Sequence, residues 1–284
     1  MNRIRFIKWI FVLPFIALTA LSGLAQAAKE PYQQAAERAA LAMRQGNFDA
    51  AIQYYTEAIN HFPKIDAFTP QNKKIKLADG KFTETPYIGL DGFYLARAKA
   101  QLHKRDFKEA ENDYVNALTV LKYEITKNLS KAKNHRTNVD IKKEKKNGYV
   151  SVWNSDLVRA AFSYSAALQS CEKAKYSNNR RRRDYADLRI QLSPSEQNIS
   201  GFGEIIKHQE NALFGKAEAY ATSMIEIENK GHSFWALKSS DELIAAFPNN
   251  IEAYQLRAKV NRYWGRDDAA LADEQKAKEL SGQK

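Results

Sequence analysis

Two consecutive stretches, 217–250 and 251–284, repeat one pattern of residue types with no gap between them. Each copy has a tyrosine, then a turn glycine, then an alanine at the same spacing, at Tyr220, Gly231 and Ala236 and at Tyr254, Gly265 and Ala270. A glycine between two amphipathic stretches predicts a helical hairpin. One hairpin cannot bury its apolar face alone, so abutting copies must stack. The repeat therefore predicts an all-α fold.

The same phase returns twice upstream, at 32–65 and 91–124. The second of these copies departs from the pattern because Arg105 replaces the turn glycine and Lys122 replaces a terminal proline such as Pro63. An ordinary bundle of amphipathic helices would share the alanine and tyrosine spacing. The recurrence of glycine and proline at matching positions favours true repeats.

Together these residues resemble the tetratricopeptide repeat, a helical hairpin with a period of about 34 residues. The resemblance covers roughly half of the chain and implies an all-α solenoid that binds other proteins on its concave face. In this phase the first helix of each hairpin presents a mixture of apolar and basic residues, which suits a protein segment that carries acidic residues. The candidate partner-binding residues are Met43, Leu95, Lys99, Leu102, Ile225, Lys259 and Arg262.

The first residues have the composition of a bacterial signal peptide. Arg3, Arg5 and Lys8 precede an uncharged stretch from Trp9 to Ala28. We expect residues 1–27 to be removed and the mature protein to be periplasmic or secreted. An uncleaved anchor in the inner membrane is the alternative. The mature chain would then comprise an N-terminal repeat region (28–128), a basic middle segment (129–216) and a C-terminal repeat pair (217–284).

Residues 66–90 form an insertion within the N-terminal repeat region. The segments 74–78 and 81–85 alternate polar and apolar residues around Asp79 and Gly80. This pattern predicts a small, exposed β-hairpin that leaves the solenoid. Its role is either decoration or contact with a partner.

The positive charge of the chain is concentrated between residues 122 and 183. This segment has 16 Lys or Arg against 5 Asp or Glu, a net charge of +11. Residues 131–148 predict a loop or a fraying helix extension, and residues 177–184 predict a turn or loop. The latter holds the candidate anion-binding residues Arg180, Arg181, Arg182 and Arg183, which could contact anionic lipid or glycan. A solvated loop without a ligand is the alternative.

No pattern of catalytic, cofactor-binding or metal-ligating residues is present. The five histidines are scattered without ligand spacing. Cys171 is the single cysteine, so no intrachain disulfide is possible, and its helical spacing predicts a buried apolar role. An exported protein is not expected to bind nucleic acid. The sequence predicts a non-enzymatic periplasmic scaffold or adaptor for an envelope assembly. The alternative is an envelope protein that binds anionic lipid or glycan through residues 122–183.

Overall fold

The computed structural model describes residues 29–62, 74–76, 82–84, 89–146, 155–190 and 201–282, and these residues are mostly helical. The helices are α1 (Pro31–Arg44), α2 (Phe48–His61), α3 (Leu90–His103), α4 (Phe107–Thr137), α5 (Ile141–Lys146), α6 (Asp156–Asp187), α7 (Phe202–Ile225), α8 (Ser233–Ala246), α9 (Ile251–Tyr263) and α10 (Asp267–Leu280). The class is therefore all-α. The predicted signal peptide, 1–27, lies outside the described residues.

The chain divides into two compact units, Met1–Phe62 and Pro63–Lys284. The described part of the first unit is the hairpin of α1 and α2. Small buried residues such as Ala39, Ala51 and Ala58 let the two helices approach closely. The rings of Tyr32 and Phe62 meet edge to face, with centroids 5.1 Å apart, and so join the two ends of the hairpin.

The second unit contains two short strands, β1 (Lys74–Lys76) and β2 (Phe82–Glu84). They pair antiparallel, with Ile75 opposite Thr83. The residues expected to form the turn between the strands, Asp79 and Gly80, lie outside the described part of the chain.

In the rest of the second unit, long helices that follow one another in the chain pack antiparallel. The start of α4 contacts the end of α6, where the Tyr114 hydroxyl donates a hydrogen bond to Asp184. The middle of α6 contacts the early turns of α7, where the Gln209 amide donates to Glu172. As a consequence α4 and α7 run in the same direction. Two ion pairs link these helices, Lys122 to Glu204 and Arg136 to Glu218, each at 2.7 Å.

The basic middle segment is more helical than its composition predicts. Helix α4 continues through Ala132 to Thr137, which confirms the predicted helix extension and excludes a loop there. Helix α6 runs without a break from Asp156 to Asp187, so the predicted turn at 177–184 is wrong. Neither helix contains glycine or proline, and arginine is a good helix former, so nothing in the sequence ends them earlier.

The proposed boundaries of the middle segment fall inside helices. The boundary after residue 128 lies within α4, and the boundary after residue 216 lies within α7. Among the described residues, α6 is the one long helix between α4 and α7. Because adjacent helices are antiparallel, this single helix reverses the direction of the later hairpins relative to that of α3 and α4.

The hairpins α3–α4 and α9–α10 share the same partly buried ion pair at matching positions. Arg97 donates two hydrogen bonds to Asp113, at 2.8 and 2.7 Å, across the first hairpin. Arg257 donates two to Asp273, at 2.9 and 2.6 Å, across the second. Each arginine also lies over the ring of the tyrosine three residues before it, 5.6 and 5.9 Å from its centroid. The two hairpins are thus copies of one structural unit.

The hairpin α7–α8, which contains most of the repeat copy 217–250, lacks this ion pair. Ser223 and Ser239 stand at the corresponding positions, and Ser223 Oγ lies 2.7 Å from His232 Nδ1 instead. A 3-10 helix, Lys230–His232, precedes α8 here. Gly231, expected at the turn, lies in that 3-10 helix, and the left-handed residue of the connection is Glu228.

The turns of the two matching hairpins also correspond. Gly265 and Arg105 both have left-handed backbone, with φ of +67° and +62°. A residue with a side chain is strained by about 1 to 2 kcal/mol in this conformation. Arg105 is therefore the unfavourable choice at a position where the other hairpin has glycine.

We predict that Arg105→Gly stabilises the protein by about 0.5 to 1 kcal/mol, since relief of strain exceeds the added entropy of the unfolded chain. The matched change Gly265→Ala should destabilise by about 1 kcal/mol, because it introduces the same strain. Chemical denaturation of both variants measures these differences. A destabilised Arg105→Gly variant would contradict the equivalence of the two turns.

Candidate functional site

The candidate partner-binding residues of α3 do not form an open surface. Leu95 and Leu102 are 3% and 1% exposed and pack in the core with Tyr185 of α6. In this conformation both leucines therefore pack inside the core, next to the last turns of α6, instead of lying on an open face. Lys99 remains half-buried beside a pocket of about 130 Å³, which Asp184 and other residues at the end of α6 line.

The other candidates are spread over several helices. Met43, in the first unit, and Ile225, at the end of α7, are half-buried. Lys259 and Arg262 lie on α9 and are exposed, and Arg262 pairs with Glu274 at 2.9 Å. In the second unit the structure brings Lys99 together with Leu102, and Lys259 together with Arg262, but it does not join these pairs into one groove.

Half of the predicted anion-binding run is engaged within the fold. Arg181 is 1% exposed and its guanidinium holds both oxygens of Glu111 on α4, at 2.9 and 2.8 Å. Arg180 lies 3.7 Å from Asp184. Arg182 and Arg183 are exposed, and Arg183 lies over the ring of Tyr176. The four arginines therefore do not act as one solvated cluster, because they occupy different faces of a helix.

Arg181 belongs to a buried polar network between α4 and α6. The Tyr185 hydroxyl donates to Glu111 at 3.0 Å, and the Tyr114 hydroxyl donates to Asp184 at 2.7 Å. Burial, followed by the hydrogen bond to Asp184, raises the pKa of Tyr114, so its hydroxyl keeps its proton. The network fixes the register of the two helices. The sequence did not predict this structural role of Arg181.

A cleft of about 340 Å³ opens where α4, α6, α7 and the start of α9 meet. Phe214 and Tyr164 form an aromatic part of its wall. Gly215 lies so close to the Tyr164 ring that an added Cβ would be 2.3 Å from a ring carbon. The cleft is lined by Arg136, Tyr164, Glu210, Asn211, Phe214, Gly215, Glu218, Asn250 and Glu252.

The cleft is acidic. Glu210, Glu218 and Glu252 face one lining arginine, Arg136, which gives the lining a formal charge of −2. Arg136 pairs with Glu218, and the Asn250 amide donates to Glu210 at 2.8 Å. This sign is opposite to that of the basic face expected from the sequence. The sequence did not predict this cleft, because its residues come from four separate helices. One of them, Arg136, lies in the segment interpreted as a loop or a fraying helix extension.

Two buried carboxyl groups lie near the contact of α3, α4 and α6. Ser170 donates to Glu124 at 3.0 Å. Burial raises the pKa of Glu124 and of Asp91, and the charge of Lys173 opposes this rise in both cases. Their charged forms are therefore less favourable in the folded protein than in water.

The side chains that could act as nucleophiles or bases, Cys171, Ser223 and His232, are all buried in the fold. Cys171 is buried, as its spacing predicts, and burial raises the pKa of its thiol to about 12. Ser223 and His232 contact one another, but both are buried between α7 and α8. Burial lowers the pKa of His232. Neither group has the exposed, activated geometry that nucleophilic catalysis requires.

Within the described ranges, no group of three or more His, Cys, Asp or Glu side chains is placed to hold a metal ion. None of the described helices is long and apolar enough to span a bilayer. No model of a protein family matches the chain, and no curated protein matches it either.

We predict that Arg181→Gln destabilises the protein by about 2 to 3 kcal/mol, because Glu111 loses its partner at a largely buried contact. Glu111 is itself about one-third exposed, which keeps the cost below that of a fully buried pair. Arg182→Gln is the matched control, since this exposed position should change stability by less than about 0.5 kcal/mol. Equal stabilities of the two variants would contradict the packing of Arg181.

The raised pKa of Glu124 gives a pH-dependent prediction. Between its ordinary value of 4.5 and its higher folded value, the folded state holds the proton more tightly, so this group's contribution to stability falls as pH rises. Glu124→Gln should therefore be more stable than the wild type at neutral pH, and the difference should shrink as pH falls towards 4.5. Thermal denaturation of both proteins over this range tests it. A Gln variant less stable at neutral pH would contradict the prediction.

Proposed function

We propose that this chain is a non-enzymatic scaffold that binds other proteins, built from helical hairpins of the tetratricopeptide type and exported to the periplasm. The β-hairpin at 66–90 is an insertion in this array. The observation that carries the proposal is the shared unit of α3–α4 and α9–α10, with its tyrosine, partly buried arginine–aspartate pair and left-handed turn at matching positions. Stacked hairpins of this kind expose extended surfaces suited to protein segments.

The cleft is the part of this surface that we assign to partner binding. It crosses helices from both sides of α6, so a segment lying in it would contact several hairpins at once. Its aromatic wall offers apolar contact area, and its carboxylates and amides offer hydrogen bonds. On α9, Lys259 lies about two helical turns after the cleft residue Glu252, on the same face of the helix. Leu95 and Leu102 are not part of the proposed binding surface, because they are buried.

The alternative function, binding of anionic lipid or glycan through residues 122–183, has less support. Arg181 is fully engaged by Glu111, and the Lys122 ammonium pairs with Glu204. Arg182 and Arg183 are what remains exposed of the arginine run. Within the arginine run, an anionic surface would therefore meet two exposed side chains instead of four.

A charge change in the cleft tests the proposal. We predict that Glu252→Lys removes or greatly reduces the proteins that co-purify with the tagged wild type from its native envelope. Glu252 lines the cleft and is exposed, so the fold should survive the change. Quantitative mass spectrometry of the co-purified proteins is the measurement, and circular dichroism checks that the helical content is unchanged.

Glu279→Lys on α10 is the matched control, because it makes the same charge change at an exposed site outside the cleft lining. It should retain the wild-type partners. Retention of all partners by Glu252→Lys would refute the cleft assignment. Loss of partners from an Arg182→Gln, Arg183→Gln variant, with retention by Glu252→Lys, would favour the anionic alternative.

The proposed location in the periplasm requires export and removal of an N-terminal signal peptide. Its support is the basic start, the uncharged stretch and the small residues before Ala28. We predict that the protein isolated from its native envelope begins at Ala28 when its N-terminus is sequenced. An intact Met1 terminus in the membrane fraction would instead support the anchor.

A further inference from the structure

Three aromatic side chains cluster on the surface where α7 meets α8. Phe234 and Trp235 open α8 and are 63% and 42% exposed. Their rings meet edge to face, with centroids 5.3 Å apart. The Tyr220 ring on α7 stacks on Trp235, with centroids 6.2 Å apart and planes 26° apart. This arrangement holds the Trp235 ring in a fixed orientation while leaving a large part of it exposed.

A lysine completes the cluster. Lys238 Nζ lies 5.9 Å from the ring centroid of Phe234 and 5.5 Å from that of Trp235. No carboxylate among the described residues pairs with this ammonium. Asp241 and Glu242 follow Lys238 by three and four positions on α8, and their carboxylates pair with Arg257 and Lys216 instead. We call Tyr220, Phe234, Trp235 and Lys238 the aromatic–lysine surface.

The fold does not need Phe234 in this position. The buried side of α8 consists of other residues, among them Ala236, Ser240 and Leu243, which pack towards the neighbouring helices. An exposed phenylalanine beside a half-exposed tryptophan is unfavourable in water and is typical of interaction surfaces. Aromatic rings of this kind contribute most of the affinity at many protein interfaces.

The aromatic–lysine surface is separate from the cleft. Tyr220 follows the cleft residue Glu218 by two positions on α7, which places the two side chains about 200° apart around the helix. A segment in the cleft therefore lies on another side of α7. A partner could occupy either surface alone.

We propose that the aromatic–lysine surface binds a protein segment in which an aromatic or aliphatic side chain stands next to a carboxylate. The apolar side chain packs on Phe234 and Trp235. The adjacent carboxylate forms an ion pair with Lys238, whose ammonium makes no ion pair within the described chain and lies over the rings. A basic segment is disfavoured because it would bring a second positive charge to Lys238.

Defined peptides test this without the native partner. We would measure fluorescence anisotropy with three short labelled peptides that share a central Leu-Phe pair, flanked by Glu, by Ser or by Lys. The Glu-flanked peptide should bind best, and its affinity should fall as salt rises. Phe234→Ala and Lys238→Glu should each weaken its binding about ten-fold or more.

Matched controls use residues of the same type elsewhere. Phe162→Ala removes another exposed phenylalanine, on α6, and Lys207→Glu reverses another exposed lysine, on α7. Both should bind the Glu-flanked peptide as the wild type does. The cleft variant Glu252→Lys should also bind it normally, which separates this proposal from the cleft assignment.

Three outcomes would overturn the proposal. The first is no saturable binding of the Glu-flanked peptide by the wild type. The second is equal binding of the Lys-flanked peptide. The third is Phe234-dependent binding to phosphatidylglycerol vesicles without peptide binding, which would identify a lipid surface instead.

Discussion

The contact between α4 and α6 is the interaction on which the rest of the second unit depends. It runs along both helices, from the Arg181–Glu111 pair at one end to the Ser170–Glu124 hydrogen bond further along. Because α6 is held here, its last turns cover α3 and its middle part supports α7. Together with the antiparallel packing of α7 on α6, this contact makes α4 and α7 parallel and brings Arg136 to Glu218 in the cleft. The burial of α3 and the geometry of the cleft therefore both depend on the contact between α4 and α6.

Apolar and polar groups contribute differently to that contact. Side chains such as Leu118, Leu121 and Ile125 are fully buried, and each contributes about 1.5 to 3 kcal/mol by leaving water. A buried ion pair gains little net stability, because the cost of removing both charges from water nearly offsets their attraction. The apolar side chains therefore provide most of the stability. The Arg181–Glu111 pair selects the register, since any slip along the helices would leave a buried charge without its partner.

Local patterns predict the hairpins well because their signals are local. A turn residue, an amphipathic stretch and a small residue such as Ala51 or Ala110 lie within one hairpin, and both alanines are fully buried. The four arginines could not be interpreted in this way. Arg181 is buried because of Glu111, which lies 70 residues away in the chain. The absence of glycine and proline from 156–187 was the available sign that the helix continues. The cleft depends on distant residues too, and no single segment of sequence carries its pattern.

The continuity of α6 through the arginine run is the central claim, because a loop there would leave α3 uncovered and the register undefined. Double electron–electron resonance between spin labels at positions 162 and 182, both exposed, measures it directly in a chain with Cys171 replaced by Ala. Twenty residues of helix span about 30 Å. A continuous helix should give a narrow distance distribution centred near this value. A broad distribution at clearly shorter distances would contradict it.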